Sequence, residues 1–292
     1  MMKLDDPSYS FEQALEECEL GITGNSSLQV RLGFSRPRLL ALGEQYAEAA
    51  REGHLFEIEP IPSGCSSDAS LVGVLSRTDL IKLYDQYFVG EKKPGRKVYD
   101  FLLNSAKEKC PFCGGIGTAR NIDHFLPKAH FPQFSILPRN LVPACRDCNM
   151  EGKGSGFARR AEDQRIQPYI DHDRFFVEQW IFARYHGEAQ GEPGRFEYFV
   201  DPPVGWSEKD KKRVWNQFEA FGLAKRYGTK AAETLLTVLR QMENLTAIGL
   251  DGKAISTVLL EPGVEQAPFV NHWQRGMYQA LIACLADAGV GE

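Results

Sequence analysis

Apolar residues recur mainly at helical spacing along this chain, with polar residues between them. Ser10 and Gln13 have the spacing of a capping box and predict a helix that runs to about residue 19. Ser35 before Pro37 predicts a second helix to about residue 52, because proline is well tolerated near the first helical position. Further helices are predicted over residues 76–87, 94–107, 174–184, 208–221, 229–245 and 270–288.

Glycine and proline interrupt this helical pattern. Residues 55–75 predict a loop with short strands, residues 187–194 a Gly/Pro-rich loop, and residues 250–253 a turn. The predicted fold class is α+β and mostly helical, in three parts. These are an N-terminal mixed region (1–93), a cysteine-containing module (94–160) and a mainly helical C-terminal region (161–292). The outer regions serve either as core or as docking surfaces for a partner, and both alternatives stay open.

Four of the seven cysteines form two Cys-x-x-Cys pairs, Cys110/Cys113 and Cys145/Cys148. Two such pairs supply four thiolates for one tetrahedral zinc ion. The 31 residues between the pairs exceed the loop of a plain zinc ribbon, so a structured segment is inserted there. The sequence therefore predicts one structural zinc ion per chain. The scattered cysteines are predicted to be packing residues: Cys18, Cys65 and Cys284.

Composition indicates a water-soluble globular protein, with 43% hydrophobic and 25% charged residues among 292. The sequence has neither an apolar run of membrane-spanning length nor the apolar stretch of a signal peptide at its start, so a cytoplasmic location is expected. The net charge is -5, but residues 107–160 contain nine basic and four acidic residues, which is +5. The remainder therefore carries -10. A local positive patch, the +5 island of residues 107–160, can bind phosphate at one site. The negative charge of the remaining chain disfavours binding of long DNA by this chain alone.

The residues between and after the cysteine pairs follow a definite order: Asp123-His124, then Asn140-Leu141, then Cys145-Arg146-Asp147-Cys148-Asn149, then Lys153. This order resembles the HNH endonuclease family, in the form where the last histidine is Asn. The resemblance implies a ββα-metal module, in which two strands, a loop and a helix surround one divalent cation. It implies that His124 is the general base and that Asn140 orients this base as the second catalytic residue. It also implies that Asp123 and Asn149 bind the catalytic cation.

Elementary chemistry agrees with these roles. An imidazole titrates near neutrality, so His124 can take a proton from water. Carboxylate and amide oxygens suit Mg²⁺ or Mn²⁺, which can offset charge at a scissile phosphate. Adjacent residues of a regular strand point to opposite faces, so Asp123 and His124 require the strand to end or distort there. Lys128 and Lys153 are the candidates to contact the substrate phosphate.

A wider run, residues 123–128 with 138–145, also resembles the HNH subunits of bacterial anti-phage systems such as Septu and Septu-like retrons. In those systems an ATPase partner controls the nuclease. Residues 166–171 resemble a following segment in which histidine often precedes the proline, whereas this chain has Gln167. The resemblance implies a protein partner such as an ATPase subunit, with a homo-oligomer as the alternative.

The expected function is a metal-dependent endonuclease that hydrolyses phosphodiester bonds, in DNA rather than RNA, as the effector of an anti-phage defence complex. The alternative is a zinc-stabilised nucleic-acid-binding or protein-scaffold module without catalysis. The filled catalytic positions argue against that alternative. The overall acidity mildly favours a scaffold, and the +5 island argues the other way.

Overall fold

The computed structural model describes residues 1–62, 66–188 and 194–289. Cys65 and most of the predicted 187–194 loop lie outside the described residues. The chain divides into two compact units, Lys3–His172 and Asp173–Glu292 with Met1–Met2. Its fold class is α+β and mostly helical, as predicted. Within the described ranges, no helix combines the length and the apolar character needed to span a membrane.

The unit Lys3–His172 contains four α-helices and four short strands among its described residues. They are α1 (Phe11–Gly21), α2 (Ser26–Arg51), β1 (Ser70–Val72), β2 (Leu75–Ser76), α3 (Arg77–Lys82), α4 (Arg96–Ser105), β3 (Asn121–His124) and β4 (Leu141–Ala144). Two π-type helical segments, Leu83–Phe88 and Cys148–Lys153, accompany them. Residues 3–93 of the first predicted part and all of the second part (94–160) thus fall in one compact unit, which extends to His172.

The ends of the first two helices show one confirmed prediction and one correction. The Ser10 hydroxyl accepts from the backbone N–H of Gln13 at 3.1 Å, and the side-chain oxygen of Gln13 accepts from the backbone N–H of Ser10 at 2.8 Å. These two bonds form the predicted capping box of α1. The predicted start of α2 near Pro37 is wrong. Asn25 caps α2 by accepting from Leu28 N–H, and Pro37 lies inside the helix. Buried leucines on both sides of the proline hold the helix in the core despite the lost hydrogen bond.

Helix α4 supports the strands that carry the candidate site. It packs against both β3 and β4 and contributes Val98 and Leu102, which are fully buried. Strands β3 and β4 are antiparallel, with Asn121 opposite Ala144 and His124 opposite Leu141. Strand β3 therefore ends at His124, which supplies the break that the Asp-His pair requires.

The second unit contains six α-helices and a two-stranded sheet among its described residues. They are α5 (Arg174–Val177), β5 (Ile181–His186), β6 (Arg195–Val200), α6 (Glu208–Ala220), α7 (Leu223–Ala247), α8 (Gly252–Ile255), α9 (Glu261–Glu265) and α10 (Trp273–Gly289). Helix α10 packs on β5 and α7 packs on β6. The Ser207 hydroxyl caps α6 by accepting from Asp210 N–H at 3.1 Å, at the start of the helix predicted over 208–221.

Two predictions in the second unit need correction. The helix predicted over 174–184 ends at Val177, because the β-branched and aromatic residues from Ile181 onward pair with β6 instead. The turn predicted over 250–253 begins a short helix, because the Asp251 side chain accepts from Ala254 N–H and caps α8.

Candidate functional site

The four paired cysteines lie together in a buried cluster. Their sulfur atoms are all within 4.8 Å of one another, and the Sγ atoms of Cys113 and Cys145 are 4.0 Å apart. Four thiolates around a tetrahedral zinc ion stand about 3.8 Å apart, because each Zn–S bond is about 2.3 Å. The cluster therefore fits a structural metal such as zinc in both donor chemistry and spacing.

Hydrogen bonds close a tight turn around the first cysteine pair. Cys110 N–H donates to Gly117 O at 3.1 Å, and Gly117 N–H donates to Cys113 Sγ at 3.2 Å. Hydrogen bonds among the four thiols lower the pKa values of Cys113 and Cys145 and raise those of Cys110 and Cys148. A zinc ion would displace protons from these thiols, because cysteine binds the metal as a thiolate.

His124 has a defined tautomer in this structure. Its Nε2 lies 2.9 Å from Ser135 O, and a backbone carbonyl only accepts, so Nε2 carries the hydrogen and Nδ1 has the free lone pair. The Tyr84 ring packs edge-on against the imidazole, with the ring centroids 4.4 Å apart. Burial lowers the pKa of His124 to about 3, so the imidazole is neutral at physiological pH. A neutral, oriented imidazole is the form that can accept a proton, but this pKa lies well below the near-neutral value expected from the residue type, so His124 is a weak base in this structure.

Asp123 is buried with its two oxygens in different surroundings. Lys153 Nζ lies 3.0 Å from Oδ1 and also donates to His124 O at 2.6 Å. Oδ2 is buried and has no hydrogen-bond partner among the described residues. Burial raises the pKa of Asp123 to about 6, although the Lys153 ammonium acts in the opposite direction. A buried carboxylate oxygen without a partner is a candidate ligand for a cation.

Asn140 is fully buried and contacts the loop after His124 rather than His124 itself. Its carbonyl oxygen accepts from Leu126 N–H at 2.7 Å. Its amide group donates to Leu126 O and Phe134 O, both at 3.1 Å. Phe134 precedes Ser135, whose carbonyl accepts from His124. Asn140 can therefore position His124 only through this loop.

The remaining predicted residues lie around one open pocket of about 370 Å³. The pocket is bordered by the site candidates Asp123, His124, Lys128, Asn149 and Lys153. Asn149 is partly exposed, and its side chain makes no hydrogen bond within the described part of the chain. Lys128 pairs with Asp85 and lies over the Tyr84 ring, 4.7 Å from its centroid. The structure thus brings all the predicted oxygen and nitrogen groups of the site to this pocket except Asn140.

Three contacts of the site involve residues that the sequence did not single out. Tyr84 and Asp85 belong to the π-type segment Leu83–Phe88, about forty positions upstream of His124, and no local motif marks them. Ser135 acts through its backbone carbonyl, which any residue type could supply. The only available signal was the apolar spacing of the helix predicted over 76–87, and it indicates burial rather than a role.

The segment around Gln167 has a supporting role. The Gln167 side chain donates to Arg139 O at 2.5 Å and accepts from Tyr169 N–H at 2.7 Å. The Tyr169 hydroxyl donates to Leu141 O at 3.0 Å. These bonds hold the entry to β4, beside Asn140.

Comparison with known proteins gives one informative result. No protein-family model matches the chain, and no solved structure matches it. The chain is 37% identical to Protein ea31 of Escherichia phage lambda over 293 residues, which cover 96% of this chain and 97% of that protein. The similarity therefore extends through both compact units, and the chain belongs to the family of phage lambda Protein ea31.

Proposed function

We propose that this protein is a metal-dependent endonuclease of the HNH type that hydrolyses phosphodiester bonds in DNA. One observation carries the proposal. Asp123, with a buried oxygen that lacks a hydrogen-bond partner among the described residues, stands beside an oriented, neutral His124 on a pocket that Asn149 also borders. A carboxylate, an imidazole base and an amide at one pocket are the groups that metal-assisted phosphodiester hydrolysis needs.

The donor set fits a hard divalent cation. Asp123 Oδ2 and the Asn149 side-chain oxygen would hold it, because both are oxygen donors at the same pocket. A bound Mg²⁺ or Mn²⁺ would supply positive charge at the scissile phosphate and the departing oxygen. The cysteine cluster has sulfur donors and fits zinc, so the proposal assigns the two metals to separate sites.

Three other side chains have separate roles in the proposed reaction. His124 Nδ1 accepts a proton from the attacking water, while the bond from Nε2 to Ser135 O fixes the ring. Asn140 holds the loop that carries Ser135 and is a positioning residue. Lys128, at the pocket edge, is the candidate contact for a substrate phosphate.

The charge distribution supports a nucleic-acid substrate and a role for a partner. The +5 of residues 107–160 favours a polyanion at the pocket, and the -10 elsewhere disfavours capture of long DNA by this chain alone. We therefore propose that a protein partner, such as an ATPase subunit of an anti-phage defence complex, supplies further DNA contacts.

The test is cleavage of plasmid DNA by an excess of zinc-loaded protein in Mg²⁺ or Mn²⁺. His124→Ala should lower the cleavage rate by about 10²–10⁴, because a positioned base is lost, and should leave the zinc content unchanged. His130→Ala is the matched control. This histidine lies nearby on the chain but packs on Phe157 outside the proposed machinery, so its variant should cleave normally.

Two results would contradict the proposal. A His124→Ala protein that cleaves at the wild-type rate would refute the assigned base. DNA binding without any cleavage in Mg²⁺ or Mn²⁺, even with the partner present, would favour the non-catalytic zinc module instead.

A further inference from the structure

Lys153 is a buried lysine whose ammonium group has two fixed acceptors. Its side chain is 4% exposed and that of Asp123 is 6% exposed. Its Nζ lies 3.0 Å from Asp123 Oδ1 and 2.6 Å from His124 O. Buried charges persist in folded proteins when they are paired in this way. The sequence predicted a phosphate contact for this lysine. In the structure its ammonium group is instead bonded to Asp123 and His124 at the wall of the pocket.

This ion pair makes the two oxygens of Asp123 unequal. Oδ1 is held by the ammonium, whereas Oδ2 has no hydrogen-bond partner among the described residues. A cation that chelates both oxygens of Asp123 would have to displace the Lys153 ammonium or bind next to it, where the two positive charges repel each other. A cation that takes one oxygen can use Oδ2 and leave the pair intact.

Divalent cations differ in this requirement. Ca²⁺ takes six to eight oxygens in flexible geometry and often chelates carboxylates through both oxygens. Mg²⁺ demands a compact octahedral shell and takes carboxylates through one oxygen, and Mn²⁺ prefers the same class of oxygen ligands. We infer that Lys153 determines the metal specificity of the pocket by restricting Asp123 to one oxygen, which favours Mg²⁺ and Mn²⁺ over Ca²⁺. The inference rests on the proposed function.

The local fold holds Lys153 in this position. It is the last residue of the segment Cys148–Lys153, which begins at a member of the cysteine cluster and also carries Asn149. Gly154 follows with φ of 56°, in the left-handed region that suits glycine, and its N–H donates to Asn149 O at 2.9 Å. One short segment thus connects the zinc site, the candidate amide ligand and the ammonium.

The test measures metal binding rather than cleavage. Free Mn²⁺ is followed by electron paramagnetic resonance as it is titrated into zinc-loaded protein, and Ca²⁺ is then added as a competitor. In the wild type, Ca²⁺ should displace Mn²⁺ poorly. In Lys153→Met, the ratio of the Ca²⁺ to the Mn²⁺ dissociation constant should fall about tenfold or more, because both oxygens of Asp123 become available.

Lys128→Met is the matched control, because it removes one positive charge from the same pocket while Lys128 pairs with Asp85 rather than Asp123. Its two dissociation constants should change in parallel, so their ratio should stay at the wild-type value. Zinc content and circular dichroism confirm that each variant is folded. An unchanged ratio in folded Lys153→Met would overturn the inference while leaving the proposed function intact.

A second variant covers the case in which Lys153→Met loses its zinc. In Lys153→Arg the guanidinium fork can pair with both oxygens of Asp123, so Mn²⁺ binding should weaken about tenfold with zinc retained. Wild-type Mn²⁺ affinity in Lys153→Arg would count against the inference. Failure of the wild-type protein itself to bind Mn²⁺ would instead refute the proposed function, and the inference with it.

Discussion

Replacing Asn140 by alanine should strongly destabilise the loop between β3 and β4. The side chain makes three buried hydrogen bonds, to Leu126 N–H, Leu126 O and Phe134 O. Phe134 O keeps a second bond, from Leu137 N–H at 3.3 Å. Two buried groups of Leu126 therefore lose their partner, and each costs about 1–3 kcal/mol when left unsatisfied. The expected loss is about 2–6 kcal/mol.

Native-state hydrogen exchange is the suitable measurement, because the chain has two compact units and one unfolding curve would mix them. The amide of Phe131 is the probe, since its bond to Pro127 O lies inside the loop and does not involve Asn140. The free energy of the opening that exposes this amide should fall by about 2–6 kcal/mol in Asn140→Ala. The largest measurable fall is set by the unfolding free energy of the compact unit.

Asn149→Ala supplies the matched control for this prediction. It deletes the same side chain from a partly exposed position that makes no side-chain hydrogen bond in the described structure. It should change the Phe131 opening free energy by less than about 0.5 kcal/mol. A change of that small size in Asn140→Ala would refute the claim that Asn140 holds the loop.

Two further predictions concern the metal and the partner. Elemental analysis after dialysis should find one zinc ion per chain in the wild type. Cys145→Ser should lose this zinc and unfold the cysteine module, because metal binding and folding are coupled, and a variant that keeps stoichiometric zinc would contradict the four-cysteine site. The isolated chain should bind DNA weakly, because a net charge of about -10 lies outside residues 107–160 and repels the polyanion. Salt screens this repulsion beyond a Debye length of about 8–10 Å at physiological ionic strength. Nanomolar, salt-sensitive binding by the chain alone, in a filter-binding or anisotropy assay, would count decisively against partner dependence.

Local chemistry explains which structural features were predictable. The capping box and the Cys-x-x-Cys spacing depend on residues a few positions apart, and the structure confirms the α1 capping box and the cysteine cluster. The strand break at His124 followed from the alternation of side chains along a strand. The prediction for residues 181–184 was wrong because a short run of aromatic and β-branched residues suits a helix or a strand until its pairing partner is known.

The long-range contacts of the site were beyond sequence reasoning. Tyr84 packs on His124 only because tertiary folding brings the segment Leu83–Phe88 to β3. Lysine side chains are mostly exposed, so the burial of Lys153 against Asp123 could not be expected from its type. The start of α2 was misplaced because Pro37 is a common first-turn residue, yet here the core on either side keeps it within a longer helix.

The cysteine pairs also bear on how the β3–β4 hairpin can form. Cys113 and Cys145 are 32 positions apart, and the strand register pairs Asn121 with Ala144 just inside them. Closing a loop of that length costs about 3 kcal/mol of chain entropy in its length-dependent part. An ion that joins the cysteines closes this loop and the hairpin together, so the strands then pair with little further loss of chain freedom. Metal uptake and strand pairing should therefore be one cooperative event, and the rate at which the hairpin forms should follow the zinc concentration.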